Sequence, residues 1–244
     1  MIKKLLVIFC VITINSLFSQ SELRGIVHYE STYSQQNIDN YFKNKRKTMK
    51  DKKMIRLTDD MFLKSKKVAS TLQFTLKEAI FEVSKKISIK DRGSIIEKFS
   101  SFTAGGPEPY YTSSVTKTLE KQNCESLDEC FIITSKFIKW NLTQETKKIA
   151  GYLCYKAISK VKRNNTFVEV IAWYTPQIPV NFGPMIYNGL PGLILDLDDG
   201  IVHFRTAKLE LNPKKGIKIK PLKKGKRVSE IEFNKMSEEA FSKL

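Results

Sequence analysis

The sequence predicts a mainly β protein of the α+β class, in which a curved antiparallel sheet or partial barrel carries helical segments near both ends. Two observations favour this class. Between residues 68 and 211 the chain divides into short segments with alternating apolar side chains, and helical patterns are confined to its two ends. Because strands joined by short connections pair antiparallel, we expect about eight or nine strands in one sheet.

The first strand is expected at residues 24–33, where apolar and polar side chains alternate. Segment 166–174 has the strongest strand signal, because β-branched and aromatic residues dominate it. Residues 100–109 are expected to form a loop, since they are rich in glycine and proline. The remaining strands are expected at 69–76, 79–87, 110–119, 131–141, 151–162, 192–197 and 201–211.

Helical segments are expected at two places. Residues 37–67 are strongly basic and poor in strand signals, which indicates a helix plus an exposed connection. Residues 229–243 have a helical pattern with an approximate apolar stripe, and Ser229 is suited to cap it. The lysine-rich stretch 212–228 is interpreted as a linker to this last helix. No repeat or composition break divides residues 21–244, so we expect a single domain.

The first twenty residues have the composition of a secretion signal. Lys3 and Lys4 precede an apolar run from Leu5 to Ile14, which is too short to span a bilayer. We expect cleavage near residue 20 and a location in the periplasm or at the outer membrane; the alternative is an anchor that stays attached. No later stretch has the length and hydropathy of a transmembrane helix, so peripheral binding is compatible with the sequence.

The net charge is +17, and loss of Lys3 and Lys4 with the signal would leave +15. This excess favours anionic partners such as lipopolysaccharide, anionic lipid or an acidic envelope protein, whereas export argues against nucleic acid. Residues 43–67 contain eleven basic residues and only three acidic ones, all aspartates. That stretch is either a solvated face or a binding surface. The residues predicted to contact an anionic partner are Lys45, Arg46, Lys47, Lys52 and Lys53.

Three cysteines follow the signal, which allows one disulfide in an oxidising compartment. Cys124 and Cys130 lie close in sequence between two strand-like segments, so their bridge would staple the tip of a hairpin. Cys154 could instead pair with either of them. The spacing of the three residues does not resemble that of a metal site.

The sequence predicts no enzyme, no cofactor and no metal site. Cys154 could in principle form a nucleophile–base pair with His28 or His203, but a buried strand thiol is the favoured interpretation. The acidic run from Asp196 to Asp199 could bind Ca²⁺, yet Asp199-Gly200 is typical of a hairpin turn. Neither a P-loop nor a dinucleotide fingerprint is present. A hydrolase remains a remote alternative.

Residues 173–195 interrupt the strand pattern with several prolines and glycines. Within them, Gly189-Leu190-Pro191-Gly192-Leu193-Ile194 forms a tight apolar turn, and this segment is identical to the signature of the GLPGLI family. Residues 140–157 and 172–184 also resemble that family's pattern. The turn is either fold-defining or a recognition edge.

The resemblance implies an exported envelope protein of a Bacteroidetes-type bacterium, and it brings no catalytic residues. It also implies an outer-membrane TonB-dependent receptor as a partner. Two functions stay open: a non-enzymatic binding or accessory protein beside an outer-membrane receptor or transporter, and a periplasmic lipid or lipoprotein carrier. The carrier would need an apolar pocket lined by residues such as Phe74, Phe81, Phe131, Trp173 and Phe204.

Overall fold

The computed structural model describes residues 23–84, 95–124, 127, 129–163 and 166–241, so the predicted signal at residues 1–20 lies outside it. Twelve strands form one open, mixed sheet in the order β12-β6-β5-β4-β3-β2-β1-β11-β10-β9-β8-β7. The strands are β1 Gly25–Tyr33, β2 Val68–Phe74, β3 Glu78–Val83, β4 Tyr110–Ser113, β5 Thr118–Asn123, β6 Phe131–Lys136, β7 Asn141–Ile149, β8 Tyr152–Arg163, β9 Thr166–Thr175, β10 Leu193–Asp198, β11 Val202–Leu211 and β12 Lys226–Ser229.

The mainly β class is confirmed, but the sheet differs from the expected one in two respects. It is mixed, because β12 runs parallel to β6 while the other described pairs are antiparallel. It also has twelve strands where about eight or nine were expected. The sheet is open, with β7 and β12 at its two edges, which the expected curved sheet or partial barrel allows. Because the sheet is open, the outer edges of β7 and β12 have no neighbouring strand among the described residues; closure into a barrel would have paired them.

Three strands were missed by the sequence prediction. The predicted strand 110–119 contains a turn, with Lys117 in the left-handed region at φ 52°, and therefore splits into β4 and β5. Strand β7 is an edge strand with mostly exposed polar residues, so it shows no apolar alternation. Strand β12 has only four residues and lies in the stretch predicted to be a linker.

Four helical segments accompany the sheet. The first, α1, consists of an α-helical part Gln35–Asn40, a π-helical turn Tyr41–Lys45 and a last turn Arg46–Thr48. The others are α2 Lys52–Lys64, α3 Ile95–Thr103 and α4 Glu230–Phe241. Helix α3 overlaps the predicted loop 100–109, so that part of the prediction is wrong. Among the described helices, none has the length and apolar character needed to cross a membrane.

Helices α1 and α2 are held at the end of β1 by a small aromatic cluster. The ring of Phe62 in α2 lies 5.1 Å from that of Tyr33, the last residue of β1, and 5.0 Å from that of Tyr41 in α1. Asp51 caps α2, since its carboxylate accepts hydrogen bonds from the backbone N–H groups of Lys53 and Met54. These contacts give the basic stretch an ordered helical structure at one end of β1.

The C-terminal helix follows the sequence prediction closely. Ser229 and Glu232 form a capping box, in which the Ser229 hydroxyl accepts from the Glu232 N–H and the Glu232 carboxylate accepts from the Ser229 N–H. The ring of Phe233 packs edge-on against that of Phe131 in β6, with centroids 5.5 Å apart. Ile231, predicted to belong to the apolar stripe, is instead exposed.

Cys124 and Cys130 are joined by a disulfide, while Cys154 is a buried free thiol. The bridge lies between β5 and β6, and it closes a short loop. Removing it with Cys124→Ala/Cys130→Ala should lower the free energy of unfolding by about 2 kcal/mol, because the unfolded chain then gains loop freedom. Denaturant unfolding with and without reductant measures this. Reductant should destabilise the wild type and leave the double variant unchanged; an equal effect on both would contradict the prediction.

Candidate functional site

The apolar side chains of the signature turn that precede and form the start of β10 are buried in the core, whereas Gly189 and Pro191 are exposed. Leu190, Leu193 and Ile194 are almost fully inaccessible, and the backbone N–H groups of Leu193 and Ile194 donate to the carbonyls of Ile178 and Phe182. The segment from 176 to 192 is therefore tied to the start of β10 by main-chain hydrogen bonds. These contacts are typical of a fold-defining turn, and a recognition edge at the exposed Gly189 and Pro191 stays an untested alternative.

Two glycines of the turn are required for different reasons. Gly189 has φ 92°, a backbone conformation that residues other than glycine rarely adopt. At Gly192 the reason is close packing, since a Cβ atom would lie 2.3 Å from the carbonyl oxygen of Thr175. The main chain of β9 thus passes directly against the turn.

A buried polar triad, which the sequence analysis did not identify, holds the same segment from its other side. The Asp199 carboxylate accepts at 2.7 Å from the Arg163 guanidinium and at 2.8 Å from the Tyr187 hydroxyl. Its other oxygen accepts from the backbone N–H groups of Ile201 and Val202, both at 2.9 Å. Burial, and after it the charge of Asp199, raises the pKa of Tyr187. No polar side-chain atom of the triad is among the buried atoms without a hydrogen-bond partner. Such a set of paired buried groups is typical of an interaction that holds segments of the fold together.

The acidic run before Gly200 does not converge on one point. Asp196 pairs with one ring nitrogen of His203 at 3.0 Å, and Asp198 lies 3.7 Å from the other and accepts from the Ser34 hydroxyl at 2.9 Å. Asp199 belongs to the triad instead. No group of three or more metal-ligating side chains occurs within the described residues. The turn interpretation of Asp199-Gly200 agrees with this, because the two residues connect β10 to β11.

Cys154 and the two histidines do not form a nucleophile–base pair in the described part of the chain. The Cys154 thiol donates to the carbonyl of Tyr152 at 3.6 Å, and burial raises the pKa of this thiol to about 11. His28 pairs instead with Glu210 at 2.9 Å. A thiol with such a pKa carries very little thiolate near neutral pH, which is the opposite of an activated nucleophile.

The aromatic residues suggested for a lipid pocket are divided between two environments. Four of them are buried, and Phe81 lies 6.0 Å from both Tyr110 and Phe204 in edge-on contacts. Trp173 is only partly buried, and Lys147 Nζ lies 4.3 Å from its ring centroid. Phe81 and Phe204 therefore pack on each other as in an ordinary core, while Phe131 packs separately on Phe233. The four buried residues are Phe74, Phe81, Phe131 and Phe204.

The basic stretch contains two kinds of side chain. Five of its eleven cations form ion pairs with carboxylates: Lys43, Arg46, Lys64, Lys66 and Lys67. The other six have no ion pair among the described residues: Lys45, Lys47, Lys50, Lys52, Lys53 and Arg56. We call these six the free basic surface; they lie at the end of α1, in the connection and in the first turns of α2.

Arg46 differs from the four lysines predicted with it. Its guanidinium donates to both carboxylate oxygens of Asp59, at 2.9 Å and 3.0 Å, and Asp59 also accepts from the Tyr41 hydroxyl. The hydrogen bond from Arg46 is the largest cause that keeps the pKa of Asp59 below its usual value. Arg46 thus joins α1 to α2, whereas Lys45, Lys47, Lys52 and Lys53 remain available to a partner.

The sequence and the fold were both compared with known proteins. A family model described as "Protein of unknown function (Porph_ging)", which is associated with Bacteroidetes, matches residues 159–196. The matched part contains the signature turn, together with β9 and most of β10. The match does not carry the GLPGLI name, which therefore stays an expectation. No curated protein matches the sequence.

Two solved structures resemble the fold. The structure of PNGF-II in space group P21 superposes with a TM-score of 0.51 at 13% identity, covering 88% of this chain and 33% of the other. The structure of PNGF-II in space group C2 gives a TM-score of 0.49 at 15% identity, with 88% and 32% covered. The chain thus spans about one third of the length of these structures, and at such identities the similarity concerns the fold alone.

Proposed function

We propose that this protein is a non-enzymatic binding or accessory protein of the bacterial envelope, and that its free basic surface contacts an anionic partner. The observation that carries the proposal is the group of six cations on α1, α2 and their connection that have no ion pair with any residue the structure describes. Elsewhere in the stretch, cations are neutralised by neighbouring carboxylates. Leaving six like charges together costs repulsion, which an anionic partner would relieve.

The proposed location in the envelope rests on the signal-like composition of residues 1–20, in which two lysines precede an apolar run. Export would place the free basic surface among lipopolysaccharide phosphates, anionic lipids and acidic loops of outer-membrane proteins, including TonB-dependent receptors. Attraction of this kind decreases as salt rises, because the Debye length falls to about 8 Å near physiological ionic strength. The lipid-carrier alternative is not favoured by the packing of the buried aromatic residues.

Replacing Lys45, Lys47, Lys52 and Lys53 with glutamine should weaken binding to anionic outer-membrane vesicles at low salt by at least about tenfold, since each lysine near an anionic surface contributes about 1 kcal/mol. Salt should affect the remaining binding less than it affects that of the wild type. Cosedimentation across a salt series measures both quantities.

The matched control replaces Lys214, Lys215, Lys218 and Lys220 with glutamine, and it should weaken vesicle binding less. These four lysines are exposed and have no ion pair in the described structure. They follow Asn212, whose N–H donates to Arg24 at the start of β1, whereas α1 follows the end of β1. Strand β1 is about 26 Å long, so the two groups belong to segments that meet it at opposite ends. Equal losses in both variants would show that only net charge matters, and that the free basic surface is not a binding site.

A further inference from the structure

Helix α3 exposes its most apolar face. Ile95, Phe99 and Phe102 are spaced by four and three residues, so they form one stripe along the helix. Their exposed fractions are 55%, 44% and 69%. The residue of α3 that is buried is Ser100, whose hydroxyl donates to the carbonyl of Ile96. This arrangement reverses the usual amphipathic pattern, in which the apolar face packs on the core.

Helix α2 packs beside α3 and also exposes an apolar side chain. Leu63, in the last turn of α2, is 70% exposed, and the ion pair between Lys66 and Glu97 joins the end of α2 to the first turn of α3. Exposed apolar side chains of this size, grouped on two neighbouring helices, are typical of a contact surface. We call Leu63, Ile95, Phe99 and Phe102 the apolar patch.

The apolar patch and the free basic surface are connected through α2. Lys52, Arg56 and Leu63 are separated by four and seven residues, so they share one face of this helix, and all three are exposed. That face begins with cations that have no ion pair among the described residues and ends, about 17 Å along the axis, at the apolar patch. Asp59 and Asp60 lie between the two ends, and their charges are paired with Arg46 and Lys64. Exposed aromatic and aliphatic side chains beside lysine and arginine are the combination that peripheral proteins present to anionic bilayers.

We infer that α2 and α3 seat the protein on an anionic lipid surface. The side chains of the apolar patch enter the interface between headgroups and acyl chains, and the free basic surface contacts the headgroup phosphates. This inference rests on the proposed function and specifies its partner as a bilayer. A second copy of the chain fits the patch less well, because pairing two such faces would bring their unpaired cations together.

The test uses the full chain and vesicles of phosphatidylcholine, with or without phosphatidylglycerol. Phe99→Ser/Phe102→Ser should reduce partitioning onto phosphatidylglycerol vesicles by about tenfold or more, because burial of aromatic surface in the interface is lost. The remaining binding of the double variant should vanish at high salt, because salt screens electrostatic attraction. The wild type should still bind at high salt through the apolar patch. The matched control is Phe167→Ser, since Phe167 lies on β9 and is 72% exposed; it should bind as the wild type does. Circular dichroism verifies that the variants are folded.

The outcomes separate this inference from the proposed function. If Phe99→Ser/Phe102→Ser binds as tightly as the wild type at high salt while the lysine variant has lost its binding, the apolar patch does not enter lipid and only the electrostatic proposal stands. If neither variant changes vesicle binding, both fail. If the wild type sediments as a dimer and Phe99→Ser/Phe102→Ser as a monomer, the patch is a self-association surface and the inference is overturned.

Discussion

Replacing Asp199 with alanine should lower the free energy of unfolding by about 3–5 kcal/mol, which is the cost typical of removing one partner from a buried ion pair. The variant leaves the Arg163 guanidinium without its carboxylate and the Tyr187 hydroxyl without its acceptor. It also deprives the N–H groups of Ile201 and Val202 of their acceptor at the turn between β10 and β11. Urea denaturation followed by circular dichroism measures the loss.

Asp60→Ala is the matched control, because Asp60 pairs with Lys64 on the exposed surface of α2. An exposed pair of this spacing contributes at most about 0.5 kcal/mol. If both aspartate variants unfold at the same denaturant concentration, then the triad does not hold segments of the fold together and the buried charges are neutralised in some other way.

Gly192→Val should lower the free energy of unfolding by about 3 kcal/mol, because the new side chain would overlap backbone atoms that cannot rotate away. A Cβ atom would stand 2.3 Å from the carbonyl oxygen of Thr175 and 2.8 Å from the nitrogen of Pro176. Both atoms belong to the chain that leaves β9, so relief requires displacing that chain from the turn. Thermal and denaturant unfolding give the magnitude.

Gly216→Val provides the comparison, since a Cβ atom there would meet only a side-chain nitrogen of Arg24, at 3.9 Å. This substitution should change stability by no more than about 0.5 kcal/mol, as surface substitutions usually do. A Gly192→Val protein as stable as the Gly216→Val protein would mean that the signature turn tolerates side chains, and that packing against Thr175 does not require glycine at position 192.

Elements with strong local patterns could be predicted from the sequence, whereas elements defined by their neighbours could not. Strand β9 was placed almost to the residue because β-branched and aromatic residues fill it. Strand β7 was missed since an edge strand buries little and shows no alternation. Helix α3 was missed because its last residues run into the glycine- and proline-rich segment on which the prediction of loop 100–109 rested.

The candidate surfaces show the same division. The density of lysine and arginine between residues 43 and 67 was visible in the sequence, but which cations stay unpaired depends on partners elsewhere in the fold. Arg46 meets Asp59 only because α1 and α2 pack together, and Lys67 meets Glu30 only because β2 lies beside β1. The triad of Arg163, Tyr187 and Asp199 likewise joins residues from three separate segments.

By itself the sequence determined the mainly β class, the capped C-terminal helix and the strongly basic character, because these depend on residue type and on spacing within a few positions. Only the tertiary structure decided that the signature turn packs against Thr175, that twelve strands form an open mixed sheet, and that Phe99 and Phe102 face outward. Burial and charge pairing are properties of contacts between distant segments. Local patterns record which residues could form such contacts, and the fold selects the contacts that exist.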